Sequence, residues 1–310
     1  MGKAGNMKAI HQSRADLGKS VLVTGASSGI GRATALRLAS SGYLVFGTVR
    51  KKEDAEALAA LGRAEALAAL GPAESGRGAL VPLILDLGRK EGLPELVRGV
   101  EAELEKRGMP GLYALVNNAG GSLVAPVELM NLEAFEVELR ARLIGALGLA
   151  QAFLPSLRRA GGRLLWIATP GTIPTAFVTG IHACDFAVNC IARTLALELG
   201  RSGPPVVLIR CGGIRTRAGL DTAGALERGL AGVAPERRAI YEEKLARWSR
   251  SMAAFDERRS ESGRVAETIE RALSAPRPRK RYRVGYMSGA AAFLESLPQV
   301  LVDRILAAAG

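Results

Sequence analysis

The sequence predicts a doubly wound α/β fold with a parallel sheet, and three observations carry that prediction. Val21, Leu22 and Val23 form a short, mostly β-branched apolar run, the signature of a strand buried on both faces. A glycine-rich turn follows at once (Thr24, Gly25, Gly29, Gly31), and 32–40 then reads as a helix with Ala33, Leu36 and Leu38 as its apolar positions. Finally, 310 residues that are 48% hydrophobic and 23% charged suffice for one large α/β domain with a substantial core. The glycines remove the Cβ atoms that would keep a pyrophosphate from the backbone, and the helix start offers unpaired N–H groups and partial positive charge. The turn is therefore suited to a dinucleotide, although a glycine turn of this kind also serves tight packing.

The remaining elements follow in order. Residues 1–18 read as a polar arm, and 19–310 as a single domain. A strand is expected over 43–49, ending in Arg50, Lys51 and Lys52 with no acidic residue. At the end of this strand in a dinucleotide fold, a carboxylate suits a free ribose 2′-hydroxyl and an arginine suits a 2′-phosphate. Arg50 therefore favours NADP(H) over NAD(H), the alternative being an ordinary surface arginine. The octet AEALAALG occurs at 55–62 and again at 64–71, each copy ending in glycine, with Pro72 closing the second. This reads as a local duplication that lengthens one surface helix.

A strand at 80–85, closing with Asp86, precedes a helix over 93–106 and a strand over 112–116. One long helix is expected over 132–157, with Ile144, Leu147 and Phe153 as core or subunit contacts. A strand at 163–168, a segment 169–180, a helix 181–199 and a strand 205–210 complete the pattern. Residues 217–262 are expected to form a substrate lid, with Tyr241, Trp248 and Phe255 in its core or on its ligand. The final segment 290–309 is suited to capping the fold, pairing with a subunit or lying on a membrane surface.

Composition excludes several classes. No apolar run reaches the roughly 18 to 20 residues of a membrane span, and the first residues lack a signal-peptide core. Three cysteines without C-x-x-C spacing suit reduced cytoplasmic thiols rather than a metal site. The net charge of +12 is largely dispersed, and the densest cluster, Arg277 to Arg283, falls in a Pro-containing connection without a nucleic-acid motif. Nucleic acid is therefore not an expected partner.

The spacing T-G-x-x-x-G-x-G at Thr24, Gly25, Gly29 and Gly31 resembles that of the short-chain dehydrogenase/reductase family, as does N-N-A-G at Asn117, Asn118, Ala119 and Gly120. A third stretch, Cys211 to Thr216, resembles the family's P-G-x-I-x-T with cysteine in place of proline. The resemblance implies a Rossmann-like sheet of about seven parallel strands. It implies NADP(H) held by Thr24, Gly25, Ser27, Ser28, Gly29, Ile30, Gly31, Arg50, Asp86, Asn118, Ala119, Gly120, Ile214 and Thr216, and a homodimer or homotetramer built on two long helices.

The chemical positions depart from the family. Its members use a Tyr acid and a Lys as Y-x-x-x-K, a Ser that orients substrate and an Asn that anchors a proton relay. Aligned on Phe186, Ala187 and Val188, the Tyr position holds Ile181 and the Lys position Asp185. Ala168 or Thr169 takes the Ser position and Arg142 the Asn position. A one-residue shift brings His182 to the Tyr position but Phe186 to that of Lys. The Asn-to-Arg and Lys-to-Asp exchange points to a buried Arg142–Asp185 ion pair, and His182, three residues from Asp185, is placed for an acid or base role on the same helix face. Thr169, His182, Asp185 and Arg142 are thus the candidate catalytic residues. Three functions remain open: a divergent enzyme acting on a hydrophobic small molecule by atypical or non-redox chemistry, a binding or regulatory pseudoenzyme, and a carbonyl reductase with non-standard residues.

Overall fold

The computed structural model describes residues 18–74, 78–89, 91–217 and 221–309. Its centre is a seven-stranded sheet built from β1 (Ser20–Val23), β2 (Leu44–Val49), β3 (Ala79–Ile84), β4 (Ala114–Asn117), β5 (Arg163–Ala168), β6 (Val206–Cys211) and β9 (Arg281–Val284). The strands lie in the order β3-β2-β1-β4-β5-β6-β9, and every pairing is parallel. A two-stranded accessory pairs β7 (Ile214–Arg215) with β8 (Ser260–Glu261).

Strand residues alternate between two cores. Val21, Val23, Leu165, Val207 and Ile209 face helices α1 (Gly29–Ser40) and α10 (Ser262–Ser274), where Leu38, Val265 and Ile269 complete a buried cluster. Leu22, Leu115, Leu164, Trp166 and Leu208 face the other way, onto α3 (Leu93–Lys106), α5 (Gly145–Arg159) and α6 (Thr179–Leu199). There they meet Val100, Leu149, Phe153 and Val188. Burial on both faces explains why β1, β2, β4, β5 and β6 read as continuous apolar runs.

Several boundaries differ from the sequence reading. Helix α1 begins three residues early, at Gly29, so the glycine turn supplies its first turn. Helix α2 (Lys52–Glu74) does not stop at Gly62 or Pro72. At Gly62 it passes so close to β3 that an added Cβ would lie 2.8 Å from Leu80 Cδ2, which makes that glycine a packing residue rather than a terminator. The helix expected over 132–157 is three pieces: α4 (Leu132–Leu139), a π turn (Arg140–Ile144) and α5. Ile144 is exposed there, whereas Phe153 is fully buried. Arg281 and Arg283 stand exposed on the edge strand β9, not in a connection, and charge on an edge discourages further strand pairing.

After the sheet's sixth strand, α7 (Thr222–Gly229), α8 (Pro235–Ala239) and α9 (Glu242–Glu257) form a satellite core. Leu230 and Leu245 pack there with Ala125 and Leu129, and Trp248 meets the Phe177 ring edge-on at 5.7 Å. Phe255 leaves this group to meet the Tyr286 ring, tilted against it, at 5.3 Å. The last segment is two helices, α11 (Ser288–Leu294) and α12 (Gln299–Ala309), broken before Pro298. Among the described residues no helix is long and apolar enough to cross a membrane. The expected arm 1–18 lies outside the described residues except for Gly18.

Candidate active site

The loops leaving the carboxyl ends of β1, β2, β3 and β4 enclose a cavity of about 1230 Å³, at the point where strand order reverses between β1 and β4. Its floor is the glycine turn. Gly25 and Gly29 have φ of +70° and +54°, backbone that side chains rarely adopt. Gly31 is required by packing instead, since a Cβ there would fall 2.1 Å from the Gly25 carbonyl oxygen. The Thr24 hydroxyl accepts from the backbone N–H groups of Asn118 and Ala119, both at 2.9 Å, while Asn118 Nδ2 donates to the Thr24 carbonyl at 2.9 Å. These bonds tie the end of β1 to the end of β4 and hold the turn open toward the cavity.

Ser27, Ser28, Gly29 and Ile30 line this floor, with Asn118, Ala119, Gly120 and Thr216 beside them. Arg50 and Asp86 line one end. The Asp86 carboxylate caps its own loop by accepting from Gly88 N at 2.9 Å, and among the described residues Arg50 has no ion-pair partner. The other end is lined by Arg142, Glu138 and Ile181.

A charged cluster sits at that other end. Arg142 lies in the π turn and donates from Nε to Glu138 Oε1 at 2.7 Å, from Nη2 to the Gly121 carbonyl at 2.8 Å, and from Nη1 to Asp185 Oδ1 at 3.4 Å. Gly121 N in turn donates to both Glu138 oxygens, at 3.0 and 2.9 Å. Asp185 Oδ2 accepts from Thr169 N at 2.8 Å. Burial opposes charge on Arg142, but Asp185 and Glu138 outweigh it and hold the guanidinium above its ordinary range. Burial raises the Asp185 carboxyl above the usual carboxylate range, with Arg142 and Thr169 N acting in the opposite sense. Burial likewise raises the Cys184 thiol to about 12 and lowers the His182 imidazole to about 4. Single-turn π insertions occur often at functional sites, and here the insertion carries the arginine.

A family model described as short chain dehydrogenase matches residues 19–223. The chain belongs to that family. Among short-chain dehydrogenase relatives, 3-amino-tetrahydro-pyrrolizinone reductase of Xenorhabdus hominickii is 29% identical over 86% of this chain and 87% of its own length. The 17-beta-hydroxysteroid dehydrogenase type 1 of Homo sapiens is 31% identical over 84% of this chain and 76% of its own. A short-chain dehydrogenase of Sphingobium yanoikuyae, solved in complex with NADPH, shares the fold at a TM-score of 0.60 and 24% identity, covering 86% of this chain and 87% of that one.

Within this member of the family, the candidate residues divide into those that line the cavity and those that support it. Thr24, Gly31 and Ile214 stand behind the lining: Thr24 is fully buried, and Ile214 packs in the core, where a Cβ on Gly285 would meet it at 2.4 Å. Of the four candidate catalytic residues, Arg142 lines the cavity, and Asp185 stands behind it, 2% exposed. Thr169 meets Asp185 through its backbone, and its hydroxyl donates to the Gly171 carbonyl at 3.3 Å. His182 does not join them. Its ring lies 5.6 Å from that of Phe186, and the Asp185 carboxylate is taken by Arg142 and Thr169 N instead. Glu138 is the residue that sequence reasoning missed. Its signal was the four-residue spacing to Arg142 on one predicted helix, the spacing of a side-chain ion pair.

Proposed function

We propose that this chain is a divergent, NADP(H)-binding enzyme that takes a hydrophobic small molecule and works without the family's Tyr/Lys pair. The observation that carries the reading is one cavity with two contrasting ends. At one end the glycine floor meets an arginine with no ion-pair partner among the described residues, Arg50. At the other, Ile181 and the Arg142 cluster stand where the family resemblance expects tyrosine and its relay.

The residues fit the dinucleotide. Gly25 and Gly29 admit phosphates close to backbone, the start of α1 supplies N–H donors, and Arg50 matches a 2′-phosphate as Asp would not. The NADPH complex of the Sphingobium relative supports the same choice. When bound, the nicotinamide would supply hydride chemistry at a carbonyl or alcohol carbon. Beyond it, Leu123, Ala141, Ile167 and Ile181 offer an apolar wall that suits a hydrophobic ligand. Residues 217–262, which include α7, α8 and α9, are suited to close over that ligand as a lid.

Isothermal calorimetry on ligand-stripped protein tests the reading. NADPH is expected to bind more tightly than NADH, and Arg50→Ala to weaken NADPH by about tenfold or more while leaving NADH unchanged, because a charge-assisted hydrogen bond contributes about 1.5–3 kcal/mol. Equal affinities in the wild type would overturn it. A panel of hydrophobic ketones and alcohols then separates an enzyme from a binding protein. The second reading, a pseudoenzyme, is favoured by Ile181, which has no proton to give at the cavity wall. It predicts binding without turnover across the panel.

A further inference from the structure

The cluster at the cavity's inner end has an unbalanced charge. Glu138 and Asp185 face a single guanidinium, and Arg142 is mostly spent on Glu138, at 2.7 Å against 3.4 Å for Asp185. The other titratable groups around Asp185 do not correct the balance. On its own helix Cys184 is a neutral thiol and His182 a neutral imidazole near pH 7. On β6, burial and then Asp185 itself hold Cys211 in its neutral form. From the end of β5, Thr169 contributes only a backbone N–H. Asp185 is 2% and Glu138 6% exposed, so water does not screen the excess. An unmatched buried carboxylate is strongly disfavoured unless a proton or a cation accompanies it.

We propose that the Glu138–Arg142–Asp185 cluster holds one exchangeable proton and releases it when the oxidised, positively charged dinucleotide occupies the cavity. The inference rests on the NADP(H) reading above. It follows from placement: the glycine floor and Arg50 would hold one end of a dinucleotide, and Arg142, Glu138 and Ile181 line the cavity where its far end would lie. The excess carboxylate would be matched there by a positive ring in place of its proton, but not by the neutral reduced ring. The raised range of the Asp185 carboxyl names the acid that gives the proton up. The released proton passes to solvent, or to an oxygen in the cavity that needs one. The cluster thereby offers a proton as the dinucleotide turns from neutral to charged, at a wall where Ile181 cannot.

Calorimetric titration of NADP+ and of NADPH, each in two buffers of different ionisation enthalpy at neutral pH, counts the protons exchanged. Both dinucleotides carry the same 2′-phosphate, so the difference between them isolates the cluster. The wild type is expected to release close to about one proton more with NADP+ than with NADPH, and Asp185→Asn to abolish that difference. Equal proton counts in the wild type would overturn the inference even if Asp185→Asn failed to fold, as would a difference that survived the substitution. Binding of neither dinucleotide would overturn the NADP(H) reading and this inference together, an outcome distinct from binding with equal counts.

Discussion

Asp185 and His182, three residues apart on α6, show how one helix face can hold two opposite solutions to burial. Asp185 keeps hydrogen-bonded neighbours, and its acid form is favoured because burial takes water from the carboxylate, against the opposing pull of Arg142 and Thr169 N. His182 is mostly enclosed, with Nδ1 unpartnered, so its neutral form is favoured and its imidazole is held down to about 4. The folded state therefore binds fewer protons than the unfolded chain between about pH 6.5 and 4, and stability falls as pH drops through that window. Acid unfolding of His182→Gln compared with wild type is expected to show a shallower pH dependence, by up to about 3 kcal/mol at the acid end. Asp185 works in the opposite direction, gaining stability as it takes up its proton, so only the difference between the two proteins reports His182. Parallel curves would show that the imidazole is not held neutral by the fold.

At the scale of elements, the end of helix α11 is anchored by an ion pair rather than by apolar contact alone. Arg210, 2% exposed near the end of β6, donates from Nη1 and Nη2 to both oxygens of Glu295, at 2.6 and 2.7 Å. The Thr172 hydroxyl donates to the same carboxylate at 3.1 Å, so the loop after β5 is held by the same group. Bonding to Arg210 keeps the Glu295 carboxyl below its usual range. Removing one partner leaves a buried charge. Glu295→Ala is therefore expected to cost about 3–5 kcal/mol in urea unfolding, and Arg210→Met combined with Glu295→Leu to recover most of that loss. A negligible cost for Glu295→Ala would mean that the arginine finds water once α11 is released. The π turn belongs to the same scale: it lets α4 and α5 remain one continuous helical path while aiming Arg142 at Gly121 and Asp185.

At the scale of the whole molecule, one sheet separates two cores that share strands but no buried side chains. Phe153 belongs to one and Ile269 to the other, each fully buried. Truncating Phe153→Ala is expected to cost about 3–5 kcal/mol, and Ile269→Val about 0.5–1.5 kcal/mol. The double variant is expected to lose the sum, to within about 0.5 kcal/mol, because the sites have no common partner. A marked departure from the sum in equilibrium denaturation would show that the strands transmit strain from one face to the other.

What the sequence determined by itself was local: the apolar runs of the six strands from β1 to β6, the glycine floor at Gly25 and Gly29, and Arg50 at the end of β2. Each is set by residues within a few positions of one another, where periodicity, glycine conformation and charge act directly. The Arg142–Asp185 ion pair was also expected from the sequence, because the family resemblance puts Asn and Lys at those two positions. Tertiary structure alone decided the rest. Asp185 turned to Thr169 N and Arg142 rather than to His182. Arg281 and Arg283 became a sheet edge, and Arg210 found Glu295 across 85 residues of chain. Burial is the physical reason: a charge taken out of water must find its partner wherever the fold brings one, and sequence spacing records only the partners that lie nearby.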